Sequence, residues 1–348
     1  MTLKRPPHQP RDQTRAVTIR DVARDAGVSV ATVSRALNDR GHVAEAVRLR
    51  VREVADALRY APHPGARNLS SRSTHTLGVV LPVLHGEFYS SLMRGIDQMA
   101  RSHGLHLLVS SHHGRRDEQD AALQALRGRV DGLIVMSAAH APGENAGLLH
   151  IGVPAVSLDD ADAAGMSAIA IDNRGGAVAM VRHLLSRGHR RIAFIGGPAG
   201  QPEAVAREQG YRQAMADFGL EEWVVEGAFD EGSGHGACAG ILRQGLRPDA
   251  VFAGNDLMAL GCLFALTQAG VRVPQDVALV GFDDIPLAAY AHPGLTTMRV
   301  DAAELGRRAV RLLLSSTGGI VDPDIEPGLL ATTLVVRASC AAAEDPQA

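Results

Sequence analysis

Six side chains that together suit a ring bearing hydroxyl groups follow apolar runs in this chain. Asp159 ends VPAVSLD, Arg207 follows the GGP loop, Phe229 follows WVVEGA, Asn255 follows DAVFAG and Asp283 follows VALVGF. Phe88, beside Tyr89, stands in the expected loop after TLGVVLP, an aromatic pair in a chain with only 3% aromatics. Asp256 and Asp284 come directly after Asn255 and Asp283. Carboxylates and amides pair with hydroxyls, arginine offers a planar fork of donors, and aromatic rings cover the apolar face of a sugar-like ring. Phe88, Asp159, Arg207, Phe229, Asn255 and Asp283 therefore predict a site for a small polyhydroxylated molecule. A monosaccharide or sugar acid is expected ahead of a nucleobase, because the polar set favours hydroxyl donors over a stacked heterocycle.

Catalysis finds little support in the same residues. Gly196, Gly197 and Gly200 do not fit G-x-G-x-x-G, no phosphate-binding G-x-x-x-x-G-K-[ST] occurs, and nothing sets a nucleophile beside Asp283 and Asp284. No catalytic residue and no cofactor is expected. Cys238, Cys262 and Cys340 are odd in number and scattered, which indicates neither a disulfide framework nor a zinc cluster. His112 and His113 are adjacent, and on a strand they would point to opposite faces, so no metal is expected there either.

A second chemistry lies near the amino terminus, in VTIRDVARDAGVSVATVSRALN from Val17 to Asn38. Thr18 and Asp21 have the spacing of a capping box, Val22, Ala23 and Ala26 form an apolar stripe, and Gly27 permits a turn with positive φ. Ser29 restarts the chain as the cap of a second helix, whose inner side is Val33, Ala36 and Leu37. Val30, Ala31, Ser34 and Arg35 are left outward. A short helix presenting small residues and one arginine suits the major groove of DNA.

The elements that must position these groups separate into a head and a body. Residues 1–72 hold 14 of the 35 Lys and Arg but 7 of the 38 Asp and Glu, a net charge of +7 against −10 for the remainder. A basic head on an acidic body marks a nucleic-acid reader whose second domain has another task. A third helical pattern, Val47 to Leu58, completes the head's core, and Tyr60, Pro62 and Pro64 end it. From Thr76 the chain alternates strand and helix, and the alternation occurs twice, with GIDQMARSHGL matched by GYRQAMADFGL and DGLIV by DAVFA. The fold class is α/β, with a three-helix head and two doubly wound parallel sheets whose ligand lies outside the carboxyl ends of the strands. No run of about 18 apolar residues appears and the first residues are polar, so the expected compartment is the cytoplasm, with no membrane partner.

Taken together, TIRDVARDAGVSVATVSRALN, GYRQAM, AGNDLMALG and VGFDDIPLAAYAHPGLTT resemble the lactose/galactose/purine repressor family of bacterial transcriptional regulators, over Val17 to about Arg337. The resemblance implies a body like a periplasmic sugar-binding protein, made dimeric, and a repressor released from operator DNA by a small sugar-like effector. It implies base contacts from Ala31 and Arg35, phosphate contacts from Thr18, Ser29, Thr32, Asn38 and His42, and a minor-groove wedge at Leu69. It divides the chain into a tail (1–16), a helix-turn-helix domain (17–62), a hinge (63–75), a body (76–338) and a tail (339–348). Three crossings connect the lobes, placing about 76–172 and 300–327 in lobe one and about 173–299 and 328–338 in lobe two. The chain departs from the family at Ala44, Val47 and Arg48, where a helix cap is missing, and at His63, Pro64 and Gly65 in the hinge. The tail AAAEDPQA lacks leucine heptads, so the expected assembly is a homodimer.

Overall fold

The computed structural model describes residues 17–37, 42–60, 73–136, 152–158, 166–245, 247–316 and 328–340. Asn38, Leu69, Asp159 and the hinge positions His63, Pro64 and Gly65 lie outside the described residues. The chain divides into two compact units, 1–74 and 75–348.

In the first unit, helices α1 (Ile19–Ala26), α2 (Val30–Leu37) and α3 (Glu45–Ala57) close around Val22, Ala23, Ala26, Val33, Ala36, Val51 and Ala55. Helices this short are marginal alone and depend on caps and packing. The Asp21 carboxylate accepts from the Thr18 amide at 3.0 Å and the Thr18 hydroxyl at 2.7 Å, completing the capping box of α1. Gly27 turns the chain at φ 64°, and Ser29 Oγ then accepts from the Thr32 amide at 3.1 Å to start α2. At the start of α3 the cap position holds Ala44, whose side chain accepts nothing.

The second unit contains two sheets of the same design. The first joins β1 (Thr76–Leu81), β2 (His106–Ser111), β3 (Gly132–Val135), β4 (Ala155–Ser157), β5 (Ser167–Ile171) and β11 (Gly328–Leu330) in the order β11-β5-β4-β3-β1-β2. The second joins β6 (Ile192–Ile195), β7 (Trp223–Val225), β8 (Ala250–Ala253), β9 (Ala278–Asp283), β10 (Thr296–Arg299) and β12 (Thr333–Val335) in the order β12-β10-β9-β8-β6-β7. Each sheet therefore runs 2-1-3-4-5, with its switch point between the first and third strands, plus a sixth strand returned from the carboxyl-terminal segment. That sixth strand is parallel in the first sheet and antiparallel in the second.

Connecting helices cover the sheets: α4 (Glu87–Ser102), α5 (Arg116–Leu126) and α11 (Ala302–Ser316) in lobe one, and α6 (Asn173–Ser186), α7 (Pro202–Asp217), α8 (Glu231–Arg243), α9 (Asp256–Gln268) and α10 (Pro286–Tyr290) in lobe two. The repeat seen in the sequence has a packing basis. A Cβ at Gly95 of α4 would lie 1.9 Å from the Ala303 carbonyl of α11, and one at Gly210 of α7 would lie 2.4 Å from the Arg174 carbonyl of α6. Both repeats thus need a glycine at the matching place, where a second helix begins against the first. The Tyr211 hydroxyl beside it donates to the Ile192 carbonyl at 2.7 Å and accepts from the Trp223 amide at 2.9 Å, tying β6 to β7, and burial pushes that hydroxyl up to about 12.

Four sequence expectations change. The third crossing falls at 331–332 rather than after 327, because Gly328–Leu330 pairs with Ile169–Ile171 in the first sheet. Ser339 and Cys340 are buried parts of lobe two, not a tail: Ser339 Oγ donates to the Leu279 carbonyl at 2.6 Å and accepts from the Thr296 amide at 2.8 Å. Phe88 and Tyr89 begin α4 instead of lying in a loop. His112 and His113 follow β2 rather than sit on it; His112 bonds the Met136 carbonyl at 2.9 Å and His113 the Glu118 carboxylate at 2.7 Å.

The bare cap of α3 yields a test. Ala44→Ser should stabilise the head by about 1 kcal/mol, since an N-cap hydroxyl satisfies a free amide. Chemical denaturation followed by far-ultraviolet dichroism should show the rise, and an unchanged or lower midpoint would mean that α3 is not limited by its cap.

Candidate functional site

The outward face of α2 is small and open. Ser29, Val30, Ala31 and Arg35 are exposed, Thr18 and Thr32 are half-buried, and exposed His42 lies just ahead of α3. Because Val33 and Ala36 hold the helix by its other side, that face is free of packing duties. The Ser29 and Thr32 hydroxyls lie 2.8 Å apart. Helix N-terminal amides and hydroxyls in this arrangement suit phosphate oxygens, and Ala31 and Arg35 are exposed on the same short helix.

In the body the strands of the second sheet deliver four of the expected residues to one place. Arg207, in the second turn of α7, is buried, with its side chain only 5% exposed. Its Nε donates to Asn173 Oδ1 at 2.8 Å, Nη1 to the Gly254 carbonyl at 2.6 Å and Nη2 to Asp283 Oδ1 at 3.0 Å. One face of the guanidinium stacks 3.9 Å from the Phe282 ring centroid, and Phe229 stands at 5.7 Å. A buried cation needs this degree of pairing, because desolvation otherwise outweighs its attractions. Among the described residues three of its five N–H groups find acceptors. Burial raises Asp283 to about 6, against the opposing pull of Arg207.

Local backbone strain aims these groups. Phe229, Asp283 and Asp284 have φ of 64°, 106° and 55°, a left-handed region that side chains rarely occupy away from functional sites. The kink sends the two adjacent carboxylates to different partners: Asp283 to Arg207, and Asp284 to Arg299 and Arg337, each at 2.7 Å. Asn255 caps α9 by accepting from the Met258 amide at 2.9 Å and donates to the Phe229 carbonyl at 3.0 Å, so it holds the Phe229 loop. Gly197 leaves room for that ring, since a Cβ there would lie 2.2 Å from Phe229 Cζ. Asp256 is fully buried, accepting from the Thr297 hydroxyl at 2.6 Å and the Ile285 amide at 2.9 Å; burial, then the charge of Asp283, hold its carboxyl well above the usual range. Asp256 and Asp284 are thereby structural.

Arg207, Phe229, Asn255 and Asp283 are brought together. Phe88 stands apart from them on α4, the helix that follows β1 in lobe one, edge-on to Tyr89 at 5.3 Å and packed against the core. Three groups that hold Arg207 in place escaped the sequence reading: Asn173, the Gly254 carbonyl and Phe282. Asn173 carried a readable signal, because SAIAIDN has the same form as AVFAGND, an apolar strand closed by an acid and an amide.

A helix-turn-helix head joined to two doubly wound lobes, with polar groups gathered at the strand ends, defines a DNA-binding regulator with a ligand-binding body. Residues 18–63 match the bacterial regulatory proteins of the lacI family, and residues 181–340 match the periplasmic binding protein-like domain. The chain is 39% identical over 304 residues to the ribose operon repressor of Escherichia coli, covering 85% of this chain and 92% of that protein. It is 36% identical to the HTH-type transcriptional repressor PurR of Photorhabdus laumondii, covering 85% and 89%. The lac repressor dimer bound to operator and the anti-inducer ONPF superposes with a TM-score of 0.80 at 30% identity, covering 94% of this chain and all of that one. The complex of the transcriptional regulator CelR with cellobiose gives 0.68 at 33%, covering 93% and 99%. The chain belongs to the lacI family of bacterial transcriptional regulators. Among the described residues no helix is long and apolar enough to cross a membrane.

The divided roles of the two aspartates can be tested. Asp284→Ala leaves two arginines facing each other and should lower stability by about 1–3 kcal/mol, discounted for the exposure of Arg299. Urea denaturation would register that loss, whereas unchanged stability would remove Asp284 from the framework.

Proposed function

We propose that this chain is a homodimeric cytoplasmic repressor, released from a palindromic operator when a neutral monosaccharide occupies the crevice between its lobes. D-ribose is the first candidate. The observation that carries the reading is the pairing, in one chain, of an unpacked recognition face on α2 with the buried Arg207–Asp283 pair at the strand ends of the body. Ala31 and Arg35 take the bases, and Thr18, Ser29, Thr32, Asn38 and His42 take phosphates. Leu69 is the wedge between base steps, at a cost of about a few kcal/mol offset by the contacts that a kinked duplex allows. Phe88 and Asp159 complete the pocket from lobe one, while Arg207, Phe229, Asn255 and Asp283 bound it from lobe two. No catalysis is assigned.

The ribose operon repressor supports a sugar, and the PurR relatives raise a purine as the rival. The placement of the rings favours the sugar. Phe282 is stacked on Arg207 and Phe229 stands beside the same guanidinium, so neither is set apart to sandwich a base. Exposed Leu287 and Tyr290 on α10 and Phe264 on α9 supply apolar surface for a second copy, and the lac repressor neighbour is itself a dimer.

A duplex selected from a random library by the full-length chain should bind with an affinity that falls steeply with log[salt], and Arg35→Ala should weaken it by about 1–3 kcal/mol. A flat salt response would remove the regulator reading. D-ribose should raise the thermal midpoint and a purine base should not; the reverse would transfer the pocket to the rival ligand. Hydroxyl donors need the ionised Asp283, whose affinity near pH 6 places the loss on the acid side. Calorimetry should find D-ribose about tenfold weaker at pH 5 than at pH 7.5. Binding that is independent of pH would exclude Asp283 as the acceptor.

A further inference from the structure

All three crossings between the lobes converge on the Arg207 cluster. Asp172 and Asn173 form the first crossing, where the Asp172 amide donates to the Leu330 carbonyl at 3.0 Å and its carboxylate caps α6 through Gly175 at 2.8 Å. Asn173 Oδ1 accepts from Arg207 Nε, and its Nδ2 reaches the Ile171 carbonyl at 3.4 Å. The second crossing begins at Val300, whose amide donates to the backbone carbonyl of Asp283 at 3.2 Å. The third passes Thr332, close to Gly176: a Cβ there would meet Thr332 Oγ1 at 2.6 Å and the edge of the Phe282 ring at 2.9 Å. Phe282 is the ring on which Arg207 stacks.

We propose that Asn173 is a positioning residue that ties the ligand-facing pair Arg207–Asp283 to the first crossing, so that any re-partnering of that pair is felt at the crossings. The proposal rests on the crevice reading given above, although its first test does not require a ligand. Arg207 has three protein acceptors, on three different segments: Asn173 on the first crossing, Gly254 after β8 and Asp283 at the end of β9. Asn173 is the one of these whose side chain projects from an inter-lobe connection. Without it the guanidinium keeps Gly254 and Asp283 but loses its bearing on the crossing. Asp283, held at φ 106°, and the Val300 amide that it accepts from are then less constrained. Coupling between distant sites requires an element whose arrangement both sites bias, and this cluster touches every connection available to carry it.

Full-length wild type is compared with Asn173→Ala and Asn173→Asp. Alanine removes the acceptor while the Asp172 cap of α6 stays, and aspartate keeps the acceptor. Amide hydrogen exchange without ligand should be about fivefold faster across 298–303 in N173A and within about twofold of wild type in N173D. Acceleration confined to 171–176 would overturn the proposal, because a merely local role for Asn173 moves nothing at Val300. In a second readout N173A should bind D-ribose within about threefold of wild type. It should lose about four-fifths or more of the change in operator affinity that D-ribose produces. A full response in N173A would overturn the proposal as well. Should D-ribose leave the wild type itself unaffected, the choice of effector fails, and the exchange at 298–303 decides the role of Asn173 on its own.

Discussion

A guanidinium taken out of water must be surrounded by acceptors, and the body of this protein is organised around meeting that demand for Arg207. Its hydrogen bonds reach the start of α6, the end of β8 and the end of β9, which fixes three segments from distant parts of the sequence to within about 3 Å of one side chain. The positive φ at Asp283 and the ring of Phe282 beneath the cation follow from the same requirement. Such a cluster is poised more than it is stabilising. Asp283 is drawn toward the charged form by Arg207 and toward the neutral form by burial, so its balance is open to any further hydrogen-bond donor.

The head meets a different constraint. Three helices of 8, 8 and 13 residues bury few side chains, so their ends matter in proportion. The Thr18–Asp21 box, the Gly27 turn and the Ser29 cap hold α1 and α2 without using any outward residue of α2. The packed side and the exposed side of α2 are thus separate faces of one short helix. The Ala44 cap position shows that the arrangement tolerates one weak end when its apolar core, Val22, Val33 and Val51 among it, is complete.

Much of this was legible in the sequence because it is local. Gly27 directly after an apolar helical stripe, Ser29 two residues on, and a strand–helix alternation that occurs twice are all set by short-range spacing. The strand-end rule brought Arg207, Phe229, Asn255 and Asp283 together for the same reason. What escaped depends on long-range contact. Asp283 and Asp284 are indistinguishable as neighbours in sequence, and only the kink and the remote Arg299 and Arg337 separate the partner of Arg207 from its neighbour. The third crossing was misplaced by a few residues because Gly328–Leu330 takes its place by pairing with a strand some 160 residues earlier, and short runs of Gly and Leu carry no mark of that partner. Ser339 and Cys340 resemble a tail in sequence for a similar reason, since the partners of Ser339 are Leu279, Gly294 and Thr296 and Cys340 is buried in the core.

The account stands or falls on whether one buried pair serves both the ligand and the lobe connections. A crystal structure of the full chain with saturating D-ribose tests this most directly. The account predicts ribose hydroxyls at about 3 Å from both Arg207 and Asp283, with the Gly254 carbonyl still holding the guanidinium. A sugar bound between the lobes that touches neither side chain would contradict it.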